Sequence, residues 1–375
     1  MTDTEAMREA LSLAREAADE GEVPVGCIVT DGEHIVGRGR NRRETDKSAL
    51  AHAELEAIRD ACRRLGSWRL HRCTMYVTLE PCCHQGRQPP CTEAILAAGI
   101  RRVVVGSMDP NPLVAGKGVE LLRTHGVEVE TGVLREQCDA LNPVFFHYIR
   151  TKRPYVVMKY AMTLDGKIAA YTGASRWITR EAARRHVHEM RHRYRGILAG
   201  VGTVLSDDPL LTCRIPGGRD PVRIICDTSL RTPLDSRIVR TADKAETILA
   251  TCVSDPGRTA PYTDAGCRVW TLPGRGEHVD LPALMDALGA AEIDGVLLEG
   301  GGTLNWAMLE AGLVQRVQAY IAPKLLGGAG ARSPVEGRGV EAPDQAAHLR
   351  KVTVTALGED FLLEGEVDRD VYGTH

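Results

Sequence analysis

The sequence predicts an α/β protein built from two domains, and three observations lead to this prediction. The chain has 375 residues, whereas one domain typically takes about 100–200. Helical and β-rich segments alternate along the first part of the chain, and a second series of alternating segments begins after Pro154. Between the two series, the basic segment HYIRTKRPY is typical of a linker. We therefore expect a first domain over 1–147, a linker over 148–153, a second domain over 154–367 and a tail over 368–375.

The first domain is predicted to begin with an amphipathic helix. Apolar residues recur at helical spacing over 5–20, and Gly21 ends the pattern. Two strands follow, VPVGCIVTDG and HIVGRG, with a turn at Asp31-Gly32. The remaining elements are a helix over Ala53–Leu65, the strand CTMYVTLE, the helix TEAILAAG, the strand RRVVVG, a helix over 117–125 and the strand VEVETG. The order α-β-β-α-β-α-β-α-β indicates a layered α/β domain with crossover helices.

The second domain is predicted to repeat this alternation. Its elements are the strand YVVMKYAM, a helix over 180–193, the strands GILAGVGTV, PVRIICD, ETILATC, CRVWTL and GVLLEGGG, a helix over 303–311 and the strand VQAYIAP. Such a series is again typical of a sheet covered by helices.

Composition and charge restrict the class of protein. With 43% hydrophobic and 26% charged residues, the chain has an ordinary globular composition. Its 47 basic and 50 acidic residues give a net charge of −3, so neither nucleic acid nor a membrane is an expected partner. No segment approaches the roughly 18 apolar residues of a spanning helix. The acidic N terminus is unlike a signal peptide, and the odd number of cysteines, 11, favours a reduced, cytoplasmic protein.

Four residues of the first half form a metal-site pattern. His52 and Glu54 lie in A-H-A-E, and Cys82 and Cys91 lie in E-P-C-C-H-Q-G-R-Q-P-P-C. One imidazole and two thiolates suit a catalytic zinc, which keeps a fourth position for water. Both ligand segments precede helical patterns, whose N-termini favour thiolates. Glu54 can move the proton of the water that the metal acidifies. The alternative is a turn-rich loop with buried cysteines.

This pattern matches the zinc deaminase signature, except that eight residues separate Cys82 from Cys91. The segments YVTLEPCCHQGRQPPCTEAI and GI-RRVVVG with DPNPLVAGKG resemble the deaminase domain of the bifunctional riboflavin biosynthesis deaminase/reductases. The resemblance implies a cytidine-deaminase-like α/β/α fold. It implies one Zn²⁺ per chain, held by His52, Cys82 and Cys91 but not Cys83, and hydrolytic deamination of a phosphoribosyl-diaminopyrimidine. The substrate contacts that it implies are His84, Arg87, Asp109 and Asn111.

One segment departs from that family. Where the family has P-N-P-x-V-G, with an asparagine on the pyrimidine, this chain has GEVPVG, with Glu22 near that position. The segments GEVPVG, GRGRNRR and LGSWRL, within the first 70 residues, are more similar to tRNA adenosine deaminases. Asn41 is the candidate to replace the missing amide. A tRNA deaminase is therefore one alternative, against which the longer cysteine loop and the second domain count. A non-enzymatic nucleotide-binding protein is another, against which the intact His52, Glu54 and cysteine pattern counts.

Four blocks of the second half resemble the reductase domain of the same family, over 154 to about 365. They are KYAMTLDGKIA (159–169), SRWIT (175–179), GVGTVLSDDPLLTCR (200–214) and LEGGGTLN (298–305). The resemblance implies a dihydrofolate-reductase-like α/β fold, homo-oligomers and reduction of a ribosyl group to ribityl by NADPH. A strand that runs into glycines and then a helix also suits a pyrophosphate, although a lone glycine run is more often a tight turn.

The same resemblance implies the site residues of the reductase. NADPH contacts are implied at Ala161, Trp177, Thr203, Asp207, Thr228, Gly301, Gly302, Thr303, Leu304 and Asn305, and substrate contacts at Ser175, Arg191, Leu211, Arg214 and Glu299. The guanidinium groups of Arg191 and Arg214 can bind a ribose phosphate bidentately. Lys159 is the candidate for ribose ring opening or proton donation, the alternative being a surface lysine at a strand end.

A second metal pattern lies in the reductase half. The segment H-E-M-R-H over 188–192 matches the zinc metalloprotease motif, with both histidines on one helical face. Its flanks, EAARRHVHEMRHRYR, are strongly polar, and Arg191 already has an implied role. We therefore expect a solvated basic helix here.

Overall fold

The structure, a computed structural model, describes residues 1–83, 90–111 and 115–368, so the predicted tail is described only at Asp368. The chain divides into two compact units, Met1–Thr151 and Lys152–His375. The division falls inside the segment 148–153, where the sequence predicts a linker. Among the described residues, no helix is long and apolar enough to cross a membrane.

The first unit is a five-stranded sheet between two layers of helices. Its strands are β1 (Gly26–Asp31), β2 (His34–Arg40), β3 (Cys73–Leu79), β4 (Arg102–Ser107) and β5 (Glu128–Thr131). Its helices are α1 (Asp3–Asp19), α2 (Ala53–Leu65), α3 (Cys91–Ala98), α4 (Lys117–Thr124), α5 (Arg135–Asp139) and α6 (Pro143–Thr151). The strand order is β2-β1-β3-β4-β5, in which β1 is antiparallel to both neighbours and β3, β4 and β5 are parallel.

Alternation along the strands separates the two cores of this unit. Cys27 and Val29 of β1 pack with α2, α3 and α4 on one face of the sheet, whereas Ile28 packs with α1 and α5 on the other. Gly39 of β2 allows α2 to lie against the sheet, because a Cβ there would be 2.1 Å from the carbonyl oxygen of Ala53. The sequence thereby places the start of α2, and the residue before it, close to the end of β2.

The second unit contains a nine-stranded sheet and a two-stranded ribbon. Its strands are β6 (Tyr155–Thr163), β7 (Gly196–Gly200), β8 (Val222–Cys226), β9 (Thr247–Thr251), β10 (Arg268–Thr271), β11 (Gly274–Arg275), β12 (His278–Val279), β13 (Gly295–Leu298), β14 (Arg316–Ala322), β15 (Leu349–Leu357) and β16 (Asp360–Val367). Its helices are α7 (Glu181–Arg193), α8 (Val201–Asp207), α9 (Arg237–Arg240), α10 (Pro256–Asp264), α11 (Leu281–Ala290) and α12 (Gly302–Glu310).

The order in the large sheet is β10-β9-β8-β7-β13-β6-β14-β16-β15. The strands from β10 to β14 in this order are parallel, and β16 and β15 add an antiparallel edge. The carboxyl ends of parallel neighbours meet at one edge of a sheet, which is where α/β folds bind ligands. Gly200 and Glu299 lie at these ends of β7 and β13, and Lys159 lies level with Glu299 because β6 continues past the end of β13.

Two sequence predictions need correction. The segment GILAGVGTV, predicted as one strand, divides at Gly200 into β7 and α8. Val201 and Val204 are buried together there, because helical spacing brings both to the same face of α8. The last turn of α6 also extends to Thr151, within the predicted linker, and Pro143 begins this helix in a position that proline favours.

Candidate active sites

Three side chains of the first unit form a candidate metal centre. The ligand atoms of His52, Cys82 and Cys91 all lie within 4.8 Å of one another. His52 Nδ1 is 3.3 Å from Cys91 Sγ, and the backbone N–H of Cys91 donates to Cys82 Sγ at 3.3 Å. His52 immediately precedes α2 and Cys91 is the first residue of α3, so two helix N-termini meet at this centre. Three such donors, two of them sulfur, fit a tetrahedral zinc with one position left for water.

The environment of Cys82 favours the form of sulfur that binds metals. A hydrogen bond from the Cys91 thiol, supported by His52 and the Cys91 backbone N–H, lowers the pKa of Cys82 to about 4 against the effect of burial. Thiolates, rather than thiols, bind zinc. The neighbouring Cys83 has its pKa raised by burial and does not belong to the cluster. The two adjacent cysteines therefore differ in pKa, which is lowered for Cys82 and raised for Cys83.

Glu54 lies in the first turn of α2, and only 4% of it is exposed. Burial, and then the charge of Cys82, raise the pKa of this carboxyl group. A carboxyl group in such a position can both take up and release a proton. It is not part of the ligand cluster, which agrees with a role in proton transfer.

Glu80 has a positioning role that the sequence does not reveal. Only 3% of it is exposed, and its two oxygens accept four backbone N–H groups. The donors are Asp109, Gly116, Gly118 and Val119, at 3.2, 2.9, 3.0 and 3.2 Å. Because Cys82 follows two residues later, this carboxylate joins the ligand segment to the loop that carries Asp109. An acidic residue at the end of the buried strand β3 was the one available signal.

The predicted substrate residues of the first unit are only partly described. His84 and Arg87 lie outside the described residues. The Asp109 carboxylate accepts the backbone N–H of Asn111 at 2.8 Å. Asn41 is 7% exposed and donates to the carbonyl of Val23 at 3.2 Å, whereas its own Oδ1 is buried without a hydrogen-bond partner among the described residues.

Glu22, which stands near the position of the family's asparagine, is also buried. One oxygen accepts the backbone N–H of Thr45 at 2.7 Å. The other oxygen has no hydrogen-bond partner within the described part of the chain. Glu22 therefore fixes the segment after β2, which reaches the metal centre through the hydrogen bond from Arg42 N–H to the carbonyl of Ala51, at 2.9 Å.

The second unit contains a cavity of about 1320 Å³ at the carboxyl ends of its parallel strands. Most of the residues predicted to bind NADPH or substrate line it. These are Lys159, Ala161, Ser175, Trp177, Arg191, Thr203, Asp207, Arg214, Thr228, Glu299, Gly301, Gly302, Thr303 and Leu304. Leu211 and Asn305 do not line it: Leu211 is 3% exposed in the core beside α8, and Asn305 is fully buried and donates to the carbonyl of Pro334 at 2.8 Å.

One end of the cavity is positively charged. Glu299 accepts hydrogen bonds from Arg191, at 2.7 and 2.9 Å, and from Lys159 at 3.4 Å. Burial opposes the ionisation of Glu299, but the charges of Arg191 and Lys159 outweigh it and hold the pKa of this carboxyl below its usual range. With Arg214 also at the wall, three cations and one carboxylate leave two positive charges. That balance suits a phosphate dianion.

Lys159 belongs to this wall rather than to the outer surface. Its side chain is 13% exposed, and its Nζ lies 5.7 Å from the ring centroid of Tyr320. The ion pair with Glu299 and the ring below it fix the ammonium group inside the cavity.

A glycine-rich helix start also lines the cavity, directly after Glu299 in the chain. Gly301 precedes α12, whose first residue is Gly302. A Cβ on Gly302 would lie 2.5 Å from Cγ of Glu336, so only glycine fits there without movement. The backbone N–H groups of such a helix start can hold a pyrophosphate. The arrangement fits the diphosphate of NADPH.

The two histidines of the H-E-M-R-H segment each accept a backbone N–H of the segment 213–219. The backbone N–H of Arg214 donates to Nδ1 of His188 at 3.2 Å, and that of Arg219 donates to Nδ1 of His192 at 2.9 Å. Within the described ranges, the only group of three candidate metal ligands is the one around His52. The predicted solvated helix is correct for one face only, since Arg191 is 12% exposed and faces the cavity.

The fold and the two sites define a class: an α/β protein with a deaminase-type zinc centre in one unit and a phosphate- and nucleotide-binding cavity in the other. The family model of the cytidine and deoxycytidylate deaminase zinc-binding region matches residues 1–107, and that of the RibD C-terminal domain matches 154–363. Riboflavin biosynthesis protein RibD of Actinobacillus pleuropneumoniae is 47% identical over 97% of this chain and 95% of its own.

Two solved structures agree over the whole chain. RibD of Acinetobacter baumannii (form 1) matches with a TM-score of 0.83 and 32% identity, covering 98% of this chain and 99% of that one. The diaminohydroxyphosphoribosylaminopyrimidine deaminase/5-amino-6-(5-phosphoribosylamino)uracil reductase of Thermotoga maritima matches with a TM-score of 0.80 and 34% identity, over the same shares. The chain belongs to the RibD family of riboflavin biosynthesis proteins. It is a bifunctional enzyme, a zinc-dependent deaminase followed by an NADPH-dependent reductase.

Proposed function

We propose that the first unit deaminates a phosphoribosyl-diaminopyrimidine and that the second reduces the resulting phosphoribosylaminouracil to its ribityl form. These are the substrates in the name of the Thermotoga maritima relative. The single observation that carries the proposal for this chain is the charged end of the cavity. There Arg191 and Arg214 stand beside Lys159 and Glu299, and the glycine-rich start of α12 lines the same cavity.

In the deaminase, His52, Cys82 and Cys91 would hold the zinc, which when bound supplies an acidified water. Glu54 would take up a proton of that water as its oxygen forms a bond to the amino-bearing ring carbon. It would then deliver the proton to the amino group, whose C–N bond breaks to release ammonia. Asn41 offers its buried Oδ1 to the pyrimidine. Asp109 and Asn111 are held beside the ligand segment through Glu80 and would contact the substrate.

In the reductase, NADPH supplies the hydride. We assign its pyrophosphate to the backbone of 301–304, and its other contacts to Ala161, Trp177, Thr203, Asp207 and Thr228. The substrate phosphate is assigned to Arg191 and Arg214, with Ser175 and Glu299 beside it. Lys159 can donate a proton when the ribose ring opens, because its ammonium group faces the cavity. Leu211 and Asn305 support the cavity without lining it. Leu211 packs in the core beside α8, and Asn305 donates a hydrogen bond to the carbonyl of Pro334.

We further propose that the enzyme is a cytoplasmic homo-oligomer that does not bind nucleic acid. No disulfide joins cysteines within the described residues, which suits a reducing compartment. Strand β15 forms one edge of the large sheet, and its Val352 and Val354 are 49% and 63% exposed. Long apolar edge strands are normally covered in soluble proteins, and a second copy of the chain could cover this one. Light scattering on the purified protein measures the oligomeric state, and a monomer would contradict this assignment.

One assay tests the main proposal. The protein is incubated with the diaminopyrimidine phosphoribotide, with and without NADPH, and the products are identified by mass. Without NADPH we expect one amino group to be replaced by oxygen, and with NADPH the product should gain two hydrogen atoms as well. An unchanged phosphoribotide, together with inosine formation on tRNA, would instead support the tRNA deaminase alternative.

A further inference from the structure

The segment 213–219 is attached to α7 by two histidines that lie one helical turn apart. His188 accepts the backbone N–H of Arg214, and His192 accepts that of Arg219. His188 lines the cavity, whereas His192 does not. Of these two imidazole attachments, one therefore lies at the cavity wall and the other away from it. The Cys213 thiol also donates to the backbone carbonyl of His188 at 3.3 Å, a contact that does not depend on the imidazole.

Arg214 occupies a position that charge alone does not favour. Burial, and then the positive charge of Arg191, lower the pKa of Arg214. The carboxylate in this region, Glu299, is already engaged by Arg191 and by Lys159. Because Glu299 already holds Arg191, Arg214 must be held beside it by a contact that does not depend on charge, and a hydrogen bond to the backbone of Arg214 is such a contact.

His188 is suited to this task because it stays neutral. Burial, and then the charges of Arg191 and Arg214, lower the pKa of His188 to about 4. A neutral imidazole can accept through Nδ1, whereas a protonated one has no acceptor and would add another positive charge. The charges of Arg191 and Arg214 thus help to keep His188 neutral, and neutral His188 accepts the hydrogen bond from the Arg214 backbone.

We propose that His188 is a positioning residue for phosphate recognition: by accepting the Arg214 backbone N–H, it holds the Arg214 guanidinium beside that of Arg191 at the cavity wall. The ligand recognised is a phosphate monoester, whose oxygens offset the repulsion between the two cations. This inference rests on the proposed function, since it assigns the substrate phosphate to this end of the cavity.

The test uses the full-length enzyme and three variants. His188→Ala removes the acceptor, and His188→Asn keeps one, because the asparagine Oδ1 lies close to the position of Nδ1. His192→Ala is the matched control, since it breaks the equivalent attachment away from the cavity. The measurements are KM and kcat of the reductase, inhibition by ribose 5-phosphate and by ribose, and the affinity for NADPH.

We expect His188→Ala to raise KM and the inhibition constant of ribose 5-phosphate about tenfold, with kcat changed by less than about twofold. Inhibition by ribose and the affinity for NADPH should not change. His188→Asn should return both constants to within about threefold of the wild-type values, and His192→Ala should stay within about twofold.

The outcomes separate the inference from the function on which it rests. If ribose 5-phosphate inhibits the wild-type enzyme no better than ribose, the phosphate assignment fails and the inference fails with it. If the wild type discriminates and His188→Ala discriminates equally well, only the inference on His188 is wrong. Weaker NADPH binding by His188→Ala, or no recovery in His188→Asn, would show a general structural role and also overturn the proposal.

Discussion

Glu54 lies two positions after the predicted zinc ligand His52, and it is buried. Glu54 is inside the site but outside the ligand cluster. We expect Glu54→Gln to keep one zinc per chain and to lose deamination by a factor of about 10²–10⁴, because an amide cannot carry the proton. Zinc analysis and ammonia release measure the two properties. Near wild-type ammonia release from the variant would contradict the role of Glu54.

The cysteines allow a comparison within one loop. Cys82→Ser and Cys91→Ser should each lose zinc, because a hydroxyl group binds zinc far less well than a thiolate. Cys83→Ser is the matched control and should keep its zinc, since the Cys83 side chain is not part of the cluster. Metal content of the three purified variants decides the matter, and loss of zinc from the Cys83 variant would mean a different ligand set.

Sequence reasoning could find residues whose chemistry fixes both their type and their spacing. His52, Cys82 and Cys91 were predicted for this reason, and the structure brings their ligand atoms together. Glu80 and His188 were not predicted, because each acts on backbone N–H groups distant in sequence. Because every residue except proline has a backbone N–H, the sequence does not show which of these groups a side chain will bind. Such positioning residues are therefore identified only from the three-dimensional structure.

At the scale of elements, the Asp3 carboxylate connects helix α1 to two strands of the sheet. Asp3 accepts two hydrogen bonds from Arg102 of β4, at 2.9 and 2.8 Å, and one from the hydroxyl of Tyr76 in β3 at 2.8 Å. The hydrogen bonds with Arg102 are the main reason why the pKa of Asp3 is lowered to about 2. The folded pKa is thus below the ordinary value of 3.8. The stabilisation is therefore complete above pH 3.8 and is lost as the pH falls towards 2.

We expect Asp3→Asn to destabilise the attachment of α1 by about 1 kcal/mol at neutral pH. The difference from the wild type should shrink as the pH falls from 3.8 through 2 and should vanish only below 2, where the wild-type carboxyl group is protonated as well. Hydrogen exchange in peptides from α1, followed over this pH range, measures it. Glu44→Gln, at an exposed position, serves as control. A difference that did not depend on pH would contradict the proposed ion pair.

The elements themselves were predictable where periodicity and end signals agreed. Helix α2 has the predicted bounds, Ala53–Leu65, because its apolar face and the following Gly66 indicate the same helix. The pattern around Val201 failed, since β-branched residues favour strands locally and only packing against the core makes this segment helical. Strands β15 and β16 were also missed, although Gly358 has the positive φ of 66° that a tight turn between them requires.

At the scale of the whole molecule, two separate sites imply independent activities. Arg191→Ala should lower kcat/KM of the reductase at least about tenfold, because charged hydrogen bonds of this kind contribute about 1.5–3 kcal/mol each. The variant also leaves the buried Glu299 without its two shortest hydrogen bonds. Deamination should stay within about twofold, since its metal centre lies in the other unit.

Ammonia release and NADPH consumption, measured on the same preparation, test this independence. Arg193→Ala is the control, since Arg193 lies on the same helix and is exposed. If both rates fell together while circular dichroism showed an unchanged fold, the two activities would share one site or be tightly coupled, and the assignment of separate sites would be wrong.

The strand order of the second unit has a consequence for the chain during synthesis. All strands of the first sheet lie between residues 26 and 131, so that sheet can close as soon as its own unit has been made. Strand β6, in contrast, pairs with β13 and β14, which begin at Gly295 and Arg316. The apolar run Tyr155–Met158 therefore waits unpaired while about 140 further residues are added. It is the segment on which a chaperone would act in the nascent chain, at a stage when the deaminase sheet can already be complete.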